Sequence, residues 1–130
     1  DDRTEFCTAE MNPDADEFYP VAMEELPKHL KLNRQTYLIL TTRGSLVDIA
    51  GIPPLLASKA AYIGVIGSKR RWATTVKGLQ EKGIGDEQIA RIHSPMGLEL
   101  NAETPEEIAV SIMAEIIMLR QGGDGKPMSK

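Results

Sequence analysis

Cysteine is all but missing from this sequence, with Cys7 as its single example. One thiol cannot close an internal disulfide, and it fits a reducing compartment, so a cytoplasmic location is expected. No Cys/His cluster has the spacing of a zinc site. Long apolar runs are missing as well. None approaches the roughly 18–20 residues that a membrane span needs. The opening Asp1-Asp2-Arg3 is unlike a signal peptide, and no leader is expected. An excess of positive charge is also lacking. Fifteen Lys and Arg against nineteen Asp and Glu leave −4 with both His neutral. General nucleic-acid binders are usually basic, so that class is set aside. The sequence holds no GxxxxGK(S/T) loop, no GxGxxG turn and no GxSxG elbow. It shows no internal repeat.

What is present suits one globular domain. The chain has 130 residues, 42% apolar and 26% charged. A chain of that length buries roughly two-thirds of its unfolded surface. Residues 1–123 are expected to form the domain, and residues 124–130 a flexible tail.

Asp1 to Asp16 reads as acidic loop. Glu17 to Val21 reads as a short edge strand, because Pro20 would break a central ladder. Met23 to Leu32 reads as a short helix with Leu26 and Leu30 on one face. Gln35 to Thr41 is an apolar run without alternation, so both its faces should be covered, as in a parallel sheet. Leu46 to Ser58 should be helical in two pieces, divided at Pro53-Pro54. Ala60 to Ile66 is a second buried strand. Lys69 to Lys82 is a helix with Trp72, Val76 and Leu79 on one stripe and Gly83 as its stop. Asp86 to Ile92 is a short helix capped by Asp86, and His93 to Leu100 a loop. Thr104-Pro105-Glu106-Glu107 opens the last helix with a capping box, and Ile108, Ile112, Ile116 and Leu119 should form its buried stripe. Alternating strands and helices give an α/β fold with a mainly parallel sheet.

Candidate chemistry gathers after the strands. Gly64-Val65-Ile66-Gly67-Ser68-Lys69-Arg70-Arg71 joins a buried strand to a helix start. Gly67 lets backbone approach a ligand, Ser68 can cap the helix, and free N–H groups there attract anions. Three cations in a first turn oppose the helix dipole, which points to an anionic partner such as a phosphate. The bland alternative is a solvated basic turn. Thr41-Thr42-Arg43-Gly44-Ser45, with Asp48, follows the other strand, and ligands of open α/β sheets gather at the strands' carboxyl ends. Capping of the next helix by Thr42 or Ser45 is the compatible alternative. Asp1-Asp2-Arg3 resembles the end of a strand whose body comes earlier. An acidic residue at the end of the second strand of a Rossmann unit binds ribose. Otherwise these residues are a solvated terminus. His93 and Ser94 offer acid–base or nucleophilic groups, Cys7 a thiolate and Glu115 a helix-border carboxylate. For all four, packing or surface placement is the simpler reading.

Taken in order, these pieces resemble one family. They are Asp1-Asp2-Arg3, Thr42-Arg43-Gly44 with Asp48, Ala61 through Arg71, Pro95-Met96-Gly97-Leu98 and Ala102 through Ile112. The family is that of the xanthine dehydrogenase accessory proteins (XdhC/CoxF type), in its C-terminal Rossmann-like domain. The likeness runs from Asp1 to about Gly123. It implies a Rossmann-like three-layer fold, here without the first strand and Gly-rich turn. Where many members have His, this chain has Ser45.

The resemblance implies a chaperone and not a catalyst. It implies binding of the molybdenum cofactor (molybdopterin type), help with its sulfuration, and its insertion into a xanthine dehydrogenase-type molybdenum hydroxylase. A cysteine desulfurase and a second copy of the chain are further implied partners, with neither nucleic acid nor membrane among them. The cofactor-binding candidates are Asp2, Arg3, Thr42, Arg43, Gly64, Gly67, Ser68, Arg70 and Arg71. No catalytic or metal-ligating residue is assigned. Two alternatives stay open: an NAD(P)-dependent oxidoreductase, and a protein-docking module with a vestigial ligand pocket.

Overall fold

The computed structural model describes residues 1–129. Three strands form one sheet: β1 (Tyr37–Leu40), β2 (Tyr62–Val65) and β3 (Ile92–His93). They lie in the order β1-β2-β3, and both pairings are parallel. Tyr37 faces Tyr62, and Gly64 lies between Ile39 and His93. Four helices surround the sheet: α1 (Ser45–Leu56), α2 (Lys69–Glu81), α3 (Asp86–Ile89) and α4 (Pro105–Gln121). The α/β class and the parallel sheet match the sequence reading.

Side-chain alternation divides the core into two layers. Leu38, Leu40, Ile63 and Val65 point to one face, where Ile52 and Leu55 of α1, Leu79 of α2 and Ile89 of α3 meet them. Tyr62 points to the other face, against Ile112 and Ile116 of α4. Each fully buried aliphatic side chain contributes about 1.5–3 kcal/mol. Helices thus flank the sheet on both sides, and all strand carboxyl ends open onto one edge.

Several elements differ from the sequence reading, each for a physical reason. Glu17–Val21 is not a strand. The Val21 N–H donates to the Tyr19 carbonyl at 2.8 Å, which curls the chain tightly around Pro20. The Met23–Leu32 helix is a 3₁₀ helix over Met23–Lys28, because Pro27 brings no N–H to an α-helical ladder. Strand β1 is covered on one face only. Leu38 and Leu40 are buried while Tyr37 and Ile39 keep 36% and 42% exposure.

Helix α1 runs unbroken through Pro53 and Pro54. Pro53 deprives the Ile49 carbonyl of its helical donor, and Lys82 Nζ donates to that carbonyl instead, at 3.3 Å. Helix α3 stops at Ile89 with Gly85, not Asp86, at its cap. Ile92 and His93, read as helix end and loop, pair with β2 as β3. The last helix begins as its capping box dictates: Thr104 Oγ1 accepts from the Glu107 N–H at 3.2 Å, and Glu107 Oε1 accepts from the Thr104 N–H at 2.9 Å. Ile112 and Ile116 are buried on it, but Leu119 is half exposed. Residues 124–129 form no helix or strand, and Lys130 of the expected tail lies outside the described residues.

Candidate functional site

The loops after β1 and β2 meet at the carboxyl edge of the sheet. Their junction is a hydrogen-bonded network built on Asp48, which is entirely buried. Arg71 folds back from the first turn of α2. Its Nη2 donates to Asp48 Oδ2 at 2.8 Å and to Thr42 Oγ1 at 2.6 Å. The Thr42 hydroxyl in turn donates to Asp48 Oδ1. The Thr42 carbonyl accepts from Arg71 Nη1 at 3.4 Å. Charge-assisted bonds to a buried carboxylate are among the stronger ones a fold can make. Arg71 Nε is buried beside this network and has no partner among the described residues.

Ser68 caps α2, accepting from the Arg71 N–H at 3.1 Å. Gly67 just before it has φ +133°, a backbone that side chains rarely allow. A Cβ there would lie 2.9 Å from Arg71 Cδ, so the glycine also makes room for Arg71. Lys69 and Arg70 stay exposed at the same helix start, where free N–H groups and the dipole favour negative charge. Chemically, two exposed cations beside a helix N-terminus suit a negatively charged group.

The N-terminal residues lie beside that corner. Arg43 grips Asp2 with both Nη atoms, at 2.9 and 3.3 Å, and reaches Asp1 at 3.7 Å. The Arg43 guanidinium holds the Asp2 carboxyl below the usual carboxylate range. Arg3 is turned away into a pair with Asp1 and lies over the Phe6 ring at 4.7 Å. The structure therefore joins Asp2 to Arg43, and Thr42 to Arg71. Gly64 sits deeper, inside β2, where the Tyr62 ring fills the space a side chain would take. Ser45 begins α1, and Cys7 lies in the N-terminal segment.

Two residues outside the expected set prove structurally central. Tyr62 is 2% exposed, and its hydroxyl donates to Glu115 Oε1 at 2.7 Å. Burial and the Glu115 charge push the Tyr62 phenol well above its ordinary range. Glu115 also accepts from the Gly97 N–H at 3.1 Å, which ties the loop after β3 to α4. The His93 ring stacks on Tyr62 at 5.0 Å. A tyrosine inside a buried strand needs a polar partner, and that need was the available signal for Glu115. Asp48 appeared in the motif without a role. Its position one turn into α1, facing the α2 start, could be found only from the fold. No group of three or more His, Cys, Asp or Glu among the described residues is placed to hold a metal ion.

The chain is similar to known proteins over most of its length. Residues 1–116 match the XdhC Rossmann domain family. A Bacillus subtilis (strain 168) protein, named as a probable xanthine dehydrogenase subunit, is 31% identical over 119 residues, covering 92% of this chain and 34% of that protein. The "Molybdenum cofactor insertion chaperone PaoD" of Escherichia coli (strain K12) is 31% identical over 72 residues, covering 53% of this chain and 23% of that one. A crystal structure of a xanthine dehydrogenase from Bacillus halodurans superposes with a TM-score of 0.74 at 30% identity, over 94% of this chain and 34% of that chain. Across the curated relatives it matches, the chain spans between 18% and 34% of their length.

Proposed function

This chain belongs to the XdhC Rossmann domain family, and from that premise we propose that it is part of an accessory chaperone for molybdenum hydroxylases of the xanthine dehydrogenase type. In this reading it holds the molybdenum cofactor while its terminal ligand is exchanged for sulfur, and assists its insertion into the target. The observation that carries the reading is the anion corner at the start of α2. The cofactor is a pterin ending in a phosphate, and the corner offers what a phosphate needs: free N–H groups at a helix start with Lys69 and Arg70 exposed beside them. Ser68, Gly67 and Thr42 shape that corner, while Asp2 and Arg43 close its flank. The names of the Bacillus subtilis relative and of PaoD support a link to such enzymes and to cofactor insertion. A molybdenum hydroxylase is the proposed partner, with a cysteine desulfurase as sulfur source, a homodimer as working unit and the cytoplasm as its place.

A titration of purified molybdenum cofactor against the chain tests this. Binding that weakens at least about tenfold in Lys69→Ala/Arg70→Ala is expected, as for two lost charge-assisted contacts. Equal affinity in both proteins moves the cofactor away from α2. Titration with NADH and NADPH separates the oxidoreductase reading, which requires saturable binding of one of them.

The outer face of α4 favours a second reading, that of a docking module. Val110, Met113 and Ile117 share one stripe there and keep 52–61% exposure. Capture of the target hydroxylase that is equally strong with and without cofactor is the result that reading expects.

A further inference from the structure

We propose that two copies of this chain pair antiparallel along the β1 flank, each setting its acidic N-terminal segment on the basic amino end of its partner's sheet. This interface deepens the homodimer of the chaperone reading, and in that respect rests on it. Charge is ordered along the sequence. No Lys or Arg stands between Arg3 and Lys28, and no Asp or Glu between Glu25 and Asp48. One stretch is purely acidic and the next purely basic.

The fold sends the two stretches to opposite ends of one flank. The acidic stretch is anchored at the carboxyl end of β1. There Arg43 holds Asp2 at 2.9 Å, and the Asp1 amino group donates to the Tyr19 carbonyl at 3.3 Å. Between these anchors Glu5, Glu10, Asp14, Asp16 and Glu17 are exposed, and none has an ion-pair partner among the described residues.

The basic stretch runs to the amino end. The Thr36 N–H donates to the Asn33 carbonyl at 3.0 Å, a turn that places Arg34 just before β1. Tyr37 pairs with Tyr62, and Arg34 and Lys59 each stand three residues ahead of that pair. Arg91 joins them from the start of β3. Its Nη1 donates to the Leu56 carbonyl at 2.8 Å and its Nη2 to the Ser58 carbonyl at 3.3 Å, beside Lys59. Lys31, Arg34, Lys59 and Arg91 are exposed and have no carboxylate partner among the described residues. The acids Glu81, Asp86 and Glu87 belong to the end of α2 and to α3, which lead into β3 at the far side of the sheet from β1.

Two copies related by a two-fold axis lay acid on base twice, the self-complementary contact that a closed dimer requires. A parallel arrangement would set like charge on like, which is disfavoured. Each end also offers the residue types that interfaces favour, aromatic rings, Met and Arg. Phe6 and Met11 stand exposed among the acids, and at the basic end the Arg120 guanidinium lies 5.9 Å over the half-open Tyr37 ring. An oligonucleotide is a poorer occupant, because the chain carries −4 overall and its acidic stretch shares the flank.

Sedimentation velocity tests this pairing. The chain should be a dimer at roughly 50 mM salt and dissociate at about 0.5 M, where exposed charges are screened within a few ångströms. Arg34→Glu/Lys59→Glu and Asp14→Lys/Asp16→Lys should each raise the dimer Kd at least about tenfold. Mixed in equal amounts, the two variants should associate again, because each end then meets the opposite charge. A chain that stays monomeric at low salt overturns the proposal. So does a dimer that neither variant weakens, or a mixture of the two folded variants that stays monomeric. A monomer that binds a single-stranded oligonucleotide through Arg34 and Lys59 gives the basic end to nucleic acid and also overturns it. No cofactor enters these measurements, so their failure leaves cofactor binding by the chaperone reading to its own titration.

Discussion

Arg71 Nη2 meets Asp48 Oδ2 at 2.8 Å, joining the first turn of α2 to the first turn of α1 across the carboxyl edge of the sheet. Asp48 is completely buried, while the Arg71 side chain keeps 22% exposure. Removing one partner of a buried pair leaves the other charge stranded, which costs about 3–5 kcal/mol at full burial. Arg71 can turn partly toward water, so Asp48→Ala should lose about 3 kcal/mol, at the lower end of that range. Urea unfolding at neutral pH measures it. A loss near zero would show that the pair does not hold the two loops together. The same reasoning makes Arg71→Ala a poor probe of ligand contact, since it strands Asp48.

Tyr62 should make stability fall in alkali. The folded protein holds the Tyr62 proton more tightly than the unfolded chain, where a phenol titrates near 10.0. The folded state therefore binds more protons above that pH. The stabilisation is complete below about pH 10 and is lost progressively as the pH rises further. Tyr62→Phe should cost about 1–2 kcal/mol at neutral pH through the lost hydrogen bond to Glu115. It should also flatten the decline above pH 10. Tyr19, raised by its bond to Glu17, is present in both proteins and cancels in the comparison. Parallel stability curves for the two proteins from pH 9 to 11 would remove Tyr62 as the cause.

Gly67→Ala should disturb the anion corner from within. The φ of +133° is strained for any side chain, and the new methyl would press on Arg71 Cδ at 2.9 Å. A loss of more than about 1 kcal/mol is expected, because alanine cannot adopt this backbone freely. Gly83→Ala, at φ +83° with open space around it, carries the backbone strain without the clash. The difference between the two variants in thermal unfolding isolates the contact with Arg71. Equal losses would mean that Arg71 moves aside freely.

Local chemistry made much of this fold legible. Thr104, Pro105 and Glu107 announce the start of α4, and Ser68 that of α2, because caps act within four residues. The unbroken apolar run Tyr62–Val65 announces a strand buried on both faces. What escaped depends on partners distant in sequence. Pro53 and Pro54 read as a break, yet Lys82, 33 residues from Ile49, supplies a substitute donor. Tyr37 to Leu40 reads as buried on both faces, but only one face has a covering layer among the described residues. In the site, the sequence put Arg70 and Arg71 side by side as equal cations. The fold separates them, sending Arg71 inward to Asp48 and leaving Arg70 in water.

That separation yields the sharpest prediction about the site. Lys69 and Arg70 lie in the first turn of α2, where the positive end of the helix dipole repels them. If their purpose were stability, the placement would be a poor one. Replacing each by Ser should therefore leave the fold unchanged or raise its stability by roughly 0.3–1 kcal/mol per residue. The same replacements should weaken binding of inorganic pyrophosphate, a simple stand-in for a phosphate-bearing ligand, and flatten its dependence on salt. Calorimetric titration at two ionic strengths, beside thermal unfolding of the same double variant, reads both effects. Stability gained while anion affinity falls means the two cations are held against the dipole for a ligand. Stability lost with affinity intact means they serve the fold, and the anion corner loses its basis.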